Sequence, residues 1–136
     1  MRDLALLLHI MLGISLVVLP LVILSKLGKK SSLARTLSLL SAGASWTLLF
    51  PAGILYTMFY PATKTLIKSG AWPWAHSVVM ETKEHWGLLL PVITTVAAWL
   101  VLANKEKESR RWWVLAAVLA ALLGVMGRVV KMGALA

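Results

Sequence analysis

The chain has 136 residues, 60% of them hydrophobic and only 14% charged, with a mean hydropathy of +0.83. A soluble domain carries roughly a quarter charged residues, so the missing charge and the long apolar runs predict several membrane-spanning helices in one domain. Cysteine is absent, which excludes disulfides, iron–sulfur clusters and thiolate metal sites. The formal charge of +9 sits at the ends of apolar segments instead of along one exposed face. That placement suits lipid headgroups and topology, and it excludes nucleic acid as the expected partner.

The first apolar segment runs from about residue 4 to 25. It is long enough to cross a bilayer at about 1.5 Å per residue. No Ala-x-Ala site closes it, so it reads as a retained helix and not as a cleaved signal. Pro20 should bend it, and Gly28 among Lys26, Lys29 and Lys30 should cap it. Ser31 or Ser32 offers the next N-cap.

A second helix is expected over 33–60, with small residues at Ser38, Ser41, Ala42, Gly43, Ala44 and Ser45 that permit close helix approach. Pro51 and Gly53 should kink it and Pro61 should end it, leaving 61–72 as the longest connection. Trp46, Tyr56, Phe59 and Tyr60 enrich its second half, the tyrosines as interface anchors. Trp72 and Trp74 flank Pro73, a first-turn proline, and a third helix follows over 74–103. Its first turns hold His76, Glu81, Lys83, Glu84 and His85; only 86–102 is wholly apolar. After a charged connection, a fourth helix over 112–130 carries Ala120-x-x-x-Gly124 and Ala117-x-x-x-Ala121, small-residue spacings common in membrane helices.

The expected fold is therefore all-α: one transmembrane domain, residues 1–136, as an up-down-up-down antiparallel four-helix bundle. Eight basic residues lie in the two short connections (Lys26, Lys29, Lys30, Arg35, Lys105, Lys107, Arg110, Arg111). Six lie on the other side (Arg2, Lys64, Lys68, Lys83, Arg128, Lys131). By the positive-inside rule both termini are expected outside.

All three histidines then fall on the outer side. Ionisable residues at the mouth of a membrane helix are costly and point to function. The leading expectation is a b-type haem between His9 and His85, since such a haem takes axial imidazoles from facing helices. Gly13 and Gly87 would let the macrocycle approach the backbone. Arg128, Lys131 and Lys83 would meet its propionates, and Glu81, four residues before His85, would orient that ring. Met11 and Met80 are substitute ligands. Electrons would pass to or from a quinone or a larger redox complex, with Trp86 and Tyr56 lining the exchange site.

This arrangement resembles small bis-histidine membrane cytochromes at the level of architecture alone. A second expectation is a copper, zinc or iron ion held by His76, Glu81, Glu84 and His85 with His9. A third is a cofactor-free accessory, anchor or channel-forming subunit or homo-oligomer. No carboxylate lies deep in a span, which disfavours a proton-driven pump, and no nucleotide-binding or hydrolase motif occurs. Whether the chain is an enzyme stays open at this point.

Overall fold

A computed structural model describes residues 1–136. The chain is all-helical, with four helices long and apolar enough to cross a membrane: α1 (Arg2–Lys26), α2 (Ser32–Ser69), α3 (Ala75–Leu102) and α4 (Glu106–Leu135). Each packs against its neighbours in a ring: α1 on α2, α2 on α3, α3 on α4 and α4 on α1. The main bodies of α1 and α3 stand diagonally across that ring.

Helix α1 ends at Lys26, and Gly28 follows at φ 89°, a left-handed conformation that glycine adopts at least cost. The Glu106 carboxylate accepts from the Gly28 N–H, and Arg35 donates to Leu102 O and Asn104 Oδ1 at 3.1 and 3.0 Å. The two short turns are thereby tied together at one end of the bundle, the turn end. Ser31 occupies the N-cap position of α2 without a side-chain capping bond.

Helix α2 continues nine residues past the expected stop. Pro61 lacks an N–H and its ring crowds the carbonyl four residues back. A π turn over Leu55–Phe59 absorbs this, the Tyr60 N–H bonding to Leu55 O, because the wider turn shifts the carbonyl ladder by one residue. The expected connection at 61–72 is consequently helical up to Ser69. A second π turn, Ala75–Met80, opens α3, with the Glu81 N–H bonded to His76 O.

Two apolar clusters hold the helices together. The larger unites Leu16, Ile23 and Leu27 with Leu90, Ala97 and Val101 and with Trp113, Ala116 and Ala120, filling the turn half of the bundle. Beside it, α2 turns Ser38, Ser41 and Ser45 inward; Ser45 meets Thr94 of α3 at 2.7 Å. The smaller cluster, Tyr60, Ile67, Ala75 and Val130, closes the end that carries both termini.

Gly133 is where the smaller cluster is tightest: a Cβ there would stand 2.6 Å from Ala75 Cβ, whereas one on Gly124 would meet nothing within 4 Å. Gly133→Ala is expected to cost about 1–3 kcal/mol through overpacking. Gly124→Ala should be neutral or stabilise by up to about 1 kcal/mol through helix propensity. Unfolding in mixed micelles followed by circular dichroism checks both.

Candidate functional site at the terminal end

Between the two apolar clusters lies a layer whose inward groups are polar. On α1, His9 stands seven residues, about 10 Å along the axis, from the core residue Leu16. It is half-buried, its Nδ1 is closed off without a partner, and neither ring nitrogen makes a hydrogen bond. Gly13, one turn deeper, has nothing within 4 Å of a Cβ position, and the same holds for Gly87 on α3.

Helical phase sorts the charged run on α3. Leu90 faces the core; Gly87 and Lys83, three and seven residues before it, share that face. Lys83 is half-buried, passes over Gly127 of α4 at 3.5 Å from a Cβ built there, and comes within electrostatic reach of His9. Glu84 is half-buried too, with a carboxylate oxygen closed off and unpartnered, and Tyr56 of α2 lies beside it. His85 is five residues from Leu90, about 140° around the helix. Its ring is exposed, and its Nδ1–H donates to Glu81 O of its own helix at 2.6 Å. The two imidazoles expected to face each other are thus turned differently, His9 inward and His85 outward.

The third histidine is the best-tied of the three. His76 is 5% exposed, with Nδ1 joined to the Tyr60 hydroxyl at 2.9 Å and Nε2 3.9 Å from Glu81 Oε1. Tyr60 also stacks on Tyr56 at 5.5 Å between centroids. The two π turns explain the meeting: Tyr60 directly follows one and His76 lies inside the other. In a π turn, residues five apart come onto one face, which gives Glu81 to His76. Glu81 was expected to orient His85 by its side chain; it supplies a backbone carbonyl there instead.

The remaining candidates are peripheral. Arg128, Lys131 and Met11 are exposed, and Met80 packs against the smaller apolar cluster. No three His, Asp or Glu side chains converge as a metal-holding group: Glu81 meets His76 alone, and His85 is turned outward. Sequence reasoning took Tyr60 for an interface anchor, and its bond to His76 went unread. Pro61 and Pro73 sit beside the two π turns, but a proline by itself signals a helix stop or start and not a π turn.

Comparison of the chain with protein-family models, curated proteins and solved structures finds no match.

Removing the Tyr60 hydroxyl leaves a buried imidazole nitrogen unpaired. Tyr60→Phe is expected to destabilise by about 1–3 kcal/mol, and adding His76→Leu should recover part of that loss, since both halves of the polar pair are then gone. Denaturant titration of the single and double variants measures it.

Proposed function

We propose that the chain is an integral membrane protein, an up-down-up-down antiparallel bundle with both termini outside, acting as a small b-type cytochrome. It holds one haem in the terminal half and exchanges electrons with a quinone or a partner redox subunit. The observation that carries this reading is His9: an inward imidazole with both nitrogens unpaired, at a level where Gly13 and Gly87 leave open space. An unpaired buried polar group in an apolar setting costs roughly 1–3 kcal/mol, and bonding one ring nitrogen to iron would give the imidazole a partner.

The fit of the residues is uneven. His9 would hold the iron, Gly13 and Gly87 would admit a flat ring beside the backbone, and Lys83 is a cation within electrostatic reach of His9. His85 faces outward and is not used as an interior ligand in this reading. Haem when bound supplies one-electron chemistry at iron. The chain's own contribution is to orient His9, exclude lipid from the layer and place Lys83 and Glu84 beside it. Tyr56 and Trp86, both partly exposed on adjacent helices, offer an aromatic edge for a quinone.

The second reading is a cofactor-free accessory or channel-forming subunit, supported by the continuous exposed apolar surface of all four helices. An optical spectrum with pyridine-haemochrome quantification separates the two. Protein purified from haem-supplied cells should show a Soret band, abolished by His9→Ala and retained in His85→Ala. Loss in His85→Ala alone would overturn the ligand assignment. A colourless preparation would favour the second reading if free of metal, and an ion site if it contains copper, zinc or iron.

A further inference from the structure

At the turn end, far from the histidines, Lys30, Ser32, Arg35, Asn104 and Glu106 line a polar pocket. The chain builds it by joining the two short turns. Lys30 and Asn104 both adopt left-handed backbone conformations, at φ 47° and 60°, which bends each turn back over the helix ends. Arg35 holds the rim together through Leu102 O and Asn104 Oδ1 on one guanidinium nitrogen, leaving its other donors for a ligand. Glu106 is the one acid in the lining, and its carboxylate is directed to the Gly28 N–H. The remaining lining offers two cations, a hydroxyl and an amide, donors that match phosphate oxygens.

The surroundings favour an anion as well. Eight basic residues (Lys26, Lys29, Lys30, Arg35, Lys105, Lys107, Arg110, Arg111) and only two acids (Glu106, Glu108) lie in or beside the two turns. Excess charge of one sign raises the local concentration of the opposite ion. The pocket stands where α1 and α3 end and α2 and α4 begin, the level at which the headgroup layer meets four apolar helices. Leu33 and Leu102, which stand next to the lining in sequence on α2 and α3, are both exposed and give apolar surface at the same end of the bundle.

From this pocket, its charge and the apolar surface beside it, we propose that the turn end binds an anionic phospholipid. The headgroup phosphate sits between Lys30 and Arg35, with Ser32 and Asn104 as further donors, and an acyl chain lies along Leu33 and Leu102. The proposal rests on the membrane-spanning part of the functional reading and is independent of any cofactor, so a colourless protein leaves it intact.

The test uses the full chain in detergent, titrated with phosphatidylglycerol, phosphatidylcholine or inorganic phosphate, with bound lipid counted by native mass spectrometry. Saturable binding of about one phosphatidylglycerol per chain is expected, at least tenfold tighter than phosphatidylcholine. Lys30→Asn, which keeps a residue tolerant of the left-handed turn, should weaken it at least fivefold, and Lys107→Gln, outside the pocket, should not. Arg35→Gln is less informative because Arg35 also ties the turns. Equal binding of the two lipids, or equal loss in the Lys30 and Lys107 variants, would overturn the site in favour of diffuse charge. Displacement of the lipid by millimolar inorganic phosphate would overturn the lipid as ligand and leave a free-anion site.

Discussion

Helices long and apolar enough to cross a membrane have to satisfy their backbone polar groups internally wherever lipid surrounds them, because lipid offers no partners. Of 107 backbone hydrogen bonds, 94 lie inside helices, so the few places where the ladder is disturbed become conspicuous. Pro61 is one of them. The chain keeps its helix by widening one turn, and the same device recurs just after Pro73. Hydroxyls follow the same constraint: Ser38 bonds back to Ala34 O at 2.7 Å, and Thr94 to Leu90 O at 3.0 Å while also meeting Ser45.

Helix association is then left to small side chains and shape. Ala97, Ala116 and Ala120 let the backbones approach in the turn half, where packing is tight. The terminal half is built differently. There the inward positions hold His9, Lys83 and Glu84, with glycines instead of alanines or leucines at the same depth. Buried groups of this kind oppose close packing, and helices that gain nothing by burying them there are expected to carry them for binding or chemistry.

Much of the fold is legible in the sequence. The four long helices follow from apolar runs bounded by charge, and Gly28 reads correctly as a helix stop because its backbone conformation favours glycine. The extension of α2 through Pro61 is not legible, since π turns have no simple residue signature. At the candidate site, spacing alone pairs His9 with His85 as joint ligands, with His9 the less interfacial of the two. Counting back from Leu90 by helical phase separates Lys83 and Gly87 from His85, a step available in the sequence once the core face of α3 is known. The Tyr60–His76 bond was hidden for a deeper reason: it joins residues that regular α-helices and a proline stop would have placed on unrelated elements.

The unbroken course of α2 has a mechanical meaning. Thirty-eight residues make a rod of about 57 Å, nearly twice the roughly 30 Å hydrocarbon layer. Its final segment, Tyr60–Ser69, leaves the α1 side and rests on α4 near Val130, carrying Lys64 and Lys68 with it. In a bilayer, a rod locked in this way could not slide inward without dragging two ammonium groups into hydrocarbon. The depth of the bundle there would then be fixed by the same element that supplies Tyr60 and Ile67 to the smaller cluster.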